Sequence, residues 1–262
     1  MSFRLRGVAT AILALAFAPA IVVAGCAGGY QPPPSKGGVE PIVLVQWQPG
    51  FSPPGERWAL PTFVLLRDGT AFTRAADQGV VMSATRRTLS AEQVAALYAR
   101  AGDAGLFRDR AFNRDVLDAS GLRVRITSAE GRYETTVVQP DPNDGGARGR
   151  VARFAEAAVR VGGAGEAYVP ERVAVYRLAN GGDDSGDVRP WPLPDPRAVG
   201  DRSPHAPGFG GDVNRPCQVV AGALLRSLLV AVRTATARTR WTDGGKVLSL
   251  FVRPLLPYEE GC

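Results

Sequence analysis

Residues 62–74, TFVLLRDGTAFTR, give the clearest local indication of the fold. Apolar, β-branched and aromatic residues on both sides of Asp68-Gly69 are typical of two strands joined by a tight turn. An Asp-Gly pair suits a turn with two positive φ angles. The stretch therefore predicts a β-hairpin with strands at 62–66 and 71–74.

Further strands follow from apolar and β-branched runs bounded by turn residues. Two more hairpins are predicted, and four single strands accompany them. The predicted hairpins pair 122–127 with 133–138 and 239–242 with 246–253, and the single strands cover 41–48, 80–88, 173–178 and 217–220.

Three segments between these strands have helical periodicity. Ser90 with Gln93 forms a capping-box pattern that begins the first helix, and Gly102 and Gly105 end it. The other two helices are indicated by apolar residues at helical spacing, namely Val151, Phe154, Ala155 and Ala158, and then Ala221, Leu224, Leu225, Leu228 and Val232. Hairpins with helices between them predict an α+β fold, in which an antiparallel sheet packs with about three amphipathic helices.

The first 26 residues predict where the protein resides. Arg4 and Arg6 precede an uncharged apolar run at 8–23, and Val23-Ala24-Gly25-Cys26 follows. A positive start, an apolar run and a small-residue cleavage site are typical of a secretory signal peptide. The last four residues resemble the lipobox of bacterial lipoproteins, which implies that the Cys26 thiol is acylated and that cleavage follows Gly25.

An uncleaved membrane anchor is the alternative interpretation of this segment. The apolar run is at the short end for a hydrocarbon core of about 30 Å, and Pro19 interrupts it. The arginines are separated by Leu5, so a twin-arginine export signal is not indicated. We therefore expect a lipid anchor on the extracytoplasmic face of the cell membrane.

Composition divides the chain into four predicted segments. A signal peptide at 1–25 precedes a lipidated flexible tether at 26–39, which is rich in Gly and Pro. An N-terminal α+β module is predicted at 40–168 and a C-terminal α+β module at 169–262. The second module contains a long Pro/Gly-rich crossover at 179–216.

The charge of the mature chain argues against nucleic-acid binding. Removal of residues 1–25 takes away Arg4 and Arg6, so 29 basic residues stand against 25 acids and the formal charge is +4. Nucleic-acid binding needs Lys and Arg clustered on one surface, and the sequence has no basic run. We expect a membrane partner through the N-terminal lipid, and no nucleic acid.

The cysteine count predicts a disulfide. With Cys26 acylated, Cys217 and Cys262 remain, and an even pair in an exported chain is typical of a disulfide. That bond would close the C-terminal part of the chain. Two unpaired thiols are the alternative. The sequence has no Cys-x-x-Cys motif and no Cys/His cluster, so neither zinc nor a redox-active dithiol is predicted.

No catalytic residue, metal or cofactor is predicted. His205, the single histidine, lies in the Pro/Gly-rich crossover, where an imidazole is poorly held for a nucleophile–base pair. The two lysines, Lys36 and Lys246, lie in the tether and beside a turn. Asp183 and Asp187 resemble the start of a calcium loop, but its turn glycine and terminal Glu are absent. Carboxylate chemistry stays open, because acids are plentiful and no motif selects a pair.

A Pro-rich aromatic loop is the predicted binding surface. Residues 46–61 contain Trp47, Phe51 and Trp58 among four prolines, and such loops bind at low entropic cost. The alternative is that these aromatic residues fill the ends of a core. A second apolar cluster near the C-terminus, for which a core role is expected, contains Trp241, Leu255, Leu256 and Tyr258.

The chain resembles a family of uncharacterised bacterial lipoproteins of the high-GC Gram-positive type. The resemblance rests on the lipobox, on Gly50-Phe51 with Pro53-Pro54, and on Cys217, Trp241 and Arg253-Pro-Leu-Leu-Pro257 followed by Cys262. It implies paired cysteines and an envelope location, and no catalytic residue. We expect a non-catalytic binding or accessory lipoprotein that contacts an envelope polymer or an exported protein. A carboxylate-dependent hydrolase of envelope polymers and a scaffold or inhibitor of another exported protein are the alternatives.

Overall fold

The structure is a computed structural model. It describes residues 30–34, 37–50, 59–179, 186–193, 201–202, 216–236, 238–243 and 246–261. Cys26, Phe51, Trp58, His205 and Cys262 lie outside these ranges, and so do the predictions made for them.

Within the described ranges the chain forms fourteen strands and three helices. The N-terminal half contains β1 (Pro41–Gln48), β2 (Phe63–Leu66), β3 (Thr70–Gln78), β4 (Val81–Thr88), α1 (Ala91–Ala104), β5 (Arg110–Phe112), β6 (Gly121–Thr127), β7 (Arg132–Val138), α2 (Gly146–Arg160) and β8 (Glu166–Ala167). The C-terminal half contains β9 (Arg172–Ala179), β10 (Val188–Pro190), β11 (Asp201–Arg202), β12 (Pro216–Ala221), α3 (Gly222–Val232), β13 (Arg240–Asp243) and β14 (Lys246–Pro254).

All the strands belong to one mixed sheet, and with the helices they make an α+β fold. The main path runs β11-β12-β9-β14-β4-β3-β2-β1-β6-β7-β5, with β8 beside β4, and β13 joining β10 to β14. Most neighbours are antiparallel, as predicted, but β5 with β7, β10 with β13 and β14 with β4 are parallel. The prediction of a purely antiparallel sheet was wrong in these three places, because parallel partners are distant in sequence and leave no local turn signal.

The predicted hairpin at 62–74 is formed by β2 and β3, although its turn differs from the prediction. Phe63 pairs with Thr73 and Leu65 with Ala71, so the loop holds three residues, 67–69. Only Gly69, at φ 87°, has a positive φ angle there. The Asp68 carboxylate instead accepts a hydrogen bond from the Thr70 amide at 2.8 Å. This arrangement is the three-residue hairpin loop with a left-handed glycine.

The capping box predicted at the start of α1 is confirmed. The Ser90 hydroxyl accepts from the Gln93 amide at 3.2 Å, and the Gln93 side chain accepts from the Ser90 amide at 2.9 Å. Gly105, at φ 72°, ends the helix in the left-handed conformation. The Tyr98 hydroxyl donates to the Thr127 carbonyl, and this bond fixes α1 on β6.

The first core lies between the sheet and the two helices α1 and α2. Inward residues of β1, β2 and β6 pack there against the predicted faces of both helices. Arg87 from β4 donates to the Val159 and Gly163 carbonyls at 2.7 and 3.1 Å, so a cation satisfies the carboxyl-terminal end of α2.

The C-terminal half has its own core beneath α3. Leu225, Leu228 and Val232 are buried there with Trp241. Leu224, which we placed on the buried face, is 46% exposed instead. Ala221 is the exposed N-cap of this helix, so the buried stripe is narrower than predicted and consists of Leu225, Leu228 and Val232.

The C-terminal segment joins the two halves. Leu255 packs with Ala174, Tyr176 and Cys217 of the C-terminal sheet. Its neighbour Leu256 packs on the outer face of the N-terminal sheet, with Leu60, Val64, Leu66, Phe72, Met82 and Ala84. Two adjacent side chains are thus buried in different clusters, and the sheet itself continues through the Val252–Val81 pairing.

Part of the predicted tether lies on the folded body. Tyr30 stacks on Phe107 with ring centroids 3.9 Å apart and packs edge-on against Tyr133. The Gln31 carbonyl accepts from the Ala129 amide at 3.1 Å, and Pro33 is buried. Residues 30–33 of the predicted tether therefore contact the folded body, because the Tyr30 ring finds apolar partners that composition alone does not reveal.

Other differences concern short strands. The crossover expected to be structureless at 179–216 contains β10 and β11, each made by long-range pairing. β5 and β8 were also missed, since two or three residues are too few for a periodic pattern.

Candidate functional site

The predicted binding loop begins at the end of β1, and its first aromatic residue is partly committed to the core. Trp47 is half-buried and packs against the core beneath α1 and α2. Its amide donates to the Thr62 hydroxyl at 3.0 Å. Phe51 and Trp58 lie outside the described residues, so the structure brings only Trp47 to the site.

A second loop, residues 113–120, lies directly against the start of the first. A methyl group added to Gly50 would come within 1.6 Å of the Asp118 carbonyl oxygen, so only glycine fits at this crossing. Asp118 itself has φ 52°, which is rare outside glycine. Gln48 pairs with Gly121, so both loops leave the sheet at the same end.

This second loop exposes two apolar side chains that the sequence analysis missed. Leu117 is 93% exposed and Val116 is 44% exposed. An isolated Val-Leu pair between two aspartates has no period, so it gave no signal of a strand, a helix or a site. Side chains this exposed contribute little to the folded core, and they lie in the loop that touches the start of the predicted binding loop.

An ion-pair network braces the exposed loop. Asp144, at the start of α2, accepts from Arg114 at 3.1 Å and from Arg148 at 3.1 Å. Arg148 also donates to the Val138 carbonyl at 2.8 Å. The hydrogen bond from Arg148, with the charges of both arginines, holds the pKa of Asp144 below its usual range. The network ties the loop to α2 and so lowers the entropy that binding would cost.

The outer face of β6 and β7 carries a different cluster. Arg123 and Arg125 share the Glu134 carboxylate at 2.8 and 3.1 Å. Burial alone would raise the pKa of Glu134, but the hydrogen bonds and charges of the two arginines outweigh it and lower that pKa. This carboxylate is therefore held ionised, whereas a general acid needs a raised pKa.

The second predicted apolar cluster serves the core. Trp241, Leu255 and Leu256 are each at most 2% exposed. Arg253, in the same signature, is 7% exposed and donates to Glu259 at 2.5 and 3.1 Å. These residues of the C-terminal motif therefore stabilise the fold and are not available to bind a partner.

Of the two aspartates in the calcium-like pattern, Asp183 lies outside the described residues and Asp187 is bound to protein groups. Asp187 accepts from the Thr239 hydroxyl at 2.7 Å and from Arg189 at 2.6 Å, and these two contacts lower its pKa. No group of three or more His, Cys, Asp or Glu residues that could hold a metal occurs among the described residues. In the same ranges, no helix has the length and apolar character needed to cross a membrane.

Comparison with protein-family models, curated proteins and solved structures finds no match to this chain. The lipoprotein resemblance therefore remains a prediction from the lipobox and the C-terminal motif.

Proposed function

We propose that this protein is a lipid-anchored, non-catalytic binding protein on the extracytoplasmic face of the cell membrane. The ordered signal segment ending at Cys26 supports the anchor. The proposed binding surface is the end of the sheet at which Gly50 meets the loop 113–120.

The observation that carries the binding function is the exposure of Leu117. A leucine 93% exposed on a loop braced by Asp144 is apolar surface presented in a fixed place. Burying an exposed leucine side chain in a partner's apolar pocket contributes about 1.5–3 kcal/mol. Leu117 and Val116 therefore favour an exported protein as the partner over a polar envelope polymer.

We also propose that Cys217 and Cys262 form a disulfide. Cys217 is fully buried beside Leu255, and Arg172 donates to the Glu259 and Glu260 carbonyls at 2.7 and 3.1 Å. Arg172 pairs with Ala221 at the other end of β12 from Cys217. These contacts hold the chain beside the sheet as far as Glu260, at the end of β12 opposite Cys217. The proposed bond therefore rests on the even cysteine count and on the burial of Cys217.

Crosslinking on intact cells tests the binding function. Truncation of a central apolar anchor costs about 2 kcal/mol of binding, about 30-fold in Kd, so Leu117→Ser should lose the crosslinked partner seen with the wild type. Its melting temperature should change by only about 1–2 °C, because the side chain is exposed.

Val169→Ser is the matched control. Val169 is 81% exposed but belongs to neither loop, so this variant should keep the partner. Equal crosslinking by wild type and Leu117→Ser, at equal protein levels, would contradict the proposed surface.

A further inference from the structure

The docked start of the described chain has a consequence for the position of the protein on the membrane. Tyr30 is fixed by its contacts with Phe107 and Tyr133, and Gln31 by its hydrogen bond with Ala129. These contacts place residues 30 and 31 against the β6–β7 turn. Within the described residues, the chain is therefore already docked on the body at Tyr30, well before residue 39.

Only four residue steps separate Cys26 from Tyr30. A fully extended chain covers at most about 3.5 Å per residue, so Tyr30 lies within about 14 Å of the anchored cysteine. The headgroup layer of one leaflet takes up about 6 Å of that reach. A free tether of 26–39 would have allowed about three times this distance.

The direction of the strands then sets which end of the molecule faces the lipid. β6 runs from Gly121, next to the exposed loop 113–120, to Thr127, next to the β6–β7 turn. Its length of about 20 Å separates the two ends. The β6–β7 turn carries both an acid, Glu130, and a base, Arg132, so it is not a basic patch that would attract anionic lipid. The short distance from Cys26 to Tyr30 is what would bring the turn to the bilayer.

We propose that the docked segment 30–33 holds the β6–β7 turn against the membrane surface and points the loops at Gly50 and Leu117 away from it. The partner of the turn is the headgroup layer of the bilayer. This inference rests on the proposed acylation of Cys26. It assigns to Tyr30 the role of fixing orientation.

Fluorescence quenching on vesicles tests this orientation. The full-length lipidated protein is reconstituted in phosphatidylcholine vesicles that contain an acceptor-labelled headgroup lipid. A fluorophore is attached to a single added cysteine, either Ala129→Cys in the β6–β7 turn or Asp115→Cys in the far loop. Both positions are exposed. We expect strong quenching at position 129 and weak quenching at position 115, at low and at high salt alike.

Substitutions at Tyr30 separate docking from lipidation. Tyr30→Ala removes the stacked ring and should abolish the difference between the two labels, whereas Tyr30→Phe keeps the ring and should preserve it. The melting temperature of both variants checks that the body stays folded, since Tyr30 is 42% exposed.

The outcomes distinguish the two proposals. Equal quenching at both labels in vesicle-bound wild type, or an unchanged difference in Tyr30→Ala, overturns the orientation while the anchor stands. A chain that carries no lipid and leaves the vesicles overturns the proposed anchor, and the orientation falls with it.

Discussion

At the residue scale, the buried ion pair between Arg253 and Glu259 gives the Arg253-Pro-Leu-Leu-Pro257 motif a role in folding. Arg253 is 7% exposed and its guanidinium meets both carboxylate oxygens of Glu259. Burial favours the neutral form of Arg253, but the charge of Glu259 outweighs that effect and raises its pKa. Glu259 also accepts a hydrogen bond from the Leu256 amide at 2.8 Å. One carboxylate therefore pairs with the buried Arg253 cation and also binds a backbone amide of the following turn.

Removal of Glu259 should therefore be strongly destabilising. Loss of one partner of a buried pair leaves an uncompensated charge and costs about 3–5 kcal/mol of unfolding free energy. Glu259→Ala should lower the melting temperature by roughly 6–20 °C, measured by circular dichroism.

Glu260→Ala is the neighbouring control. The Glu260 side chain is exposed, and its contact with Arg172 is made by the backbone carbonyl, which alanine keeps. This variant should stay within about 0.5 kcal/mol of the wild type. Similar melting temperatures for the two variants would contradict the role given to the pair.

At the element scale, the sequence predicted the features that depend on residues close together in the chain. The capping box at Ser90, the hairpin of β2 and β3 and the buried face of α2 follow from spacing within a few residues. The parallel pairing of β14 with β4 depends on chain segments about 170 residues apart, and no local pattern reports it. The exposure of Leu117 could not be predicted for the same reason. Its loop is positioned by contacts with Gly50 and Asp144, which are brought together only in the folded protein.

The proposed disulfide belongs to the same scale, since it would join β12 to the C-terminal segment. Closing a loop of about 45 residues stabilises by up to about 4 kcal/mol in the chain-entropy model. Non-reducing peptide mapping should recover Cys217 and Cys262 in one linked fragment. Cys262→Ala should lower the melting temperature by up to about 8–16 °C.

The control for this bond is the double variant. If the loss reflects the bond, Cys217→Ala combined with Cys262→Ala should cost much less than the sum of the two single variants. Free thiols at both positions in native protein would show that the bond is absent.

At the scale of the whole molecule, the sheet joins two cores, and the proposed anchor and the proposed binding surface lie at opposite ends of β6. The docked residues near Tyr30 lie at the β6–β7 turn, the cores under the helices make up the body, and the loops at Gly50 and Leu117 lie at the far end. This arrangement suits a protein that is held at a lipid surface and contacts a partner beyond it. The position at the lipid surface depends on the acyl group proposed at Cys26.

Intact-mass analysis of the protein extracted from the membrane fraction tests that claim most directly. We predict a mature chain that begins at Cys26 and carries a diacylglycerol-type lipid adduct, and we predict that Cys26→Ala abolishes both the cleavage and the adduct. A mature chain that begins well after residue 26, or one that begins at Cys26 without a lipid, would contradict the account.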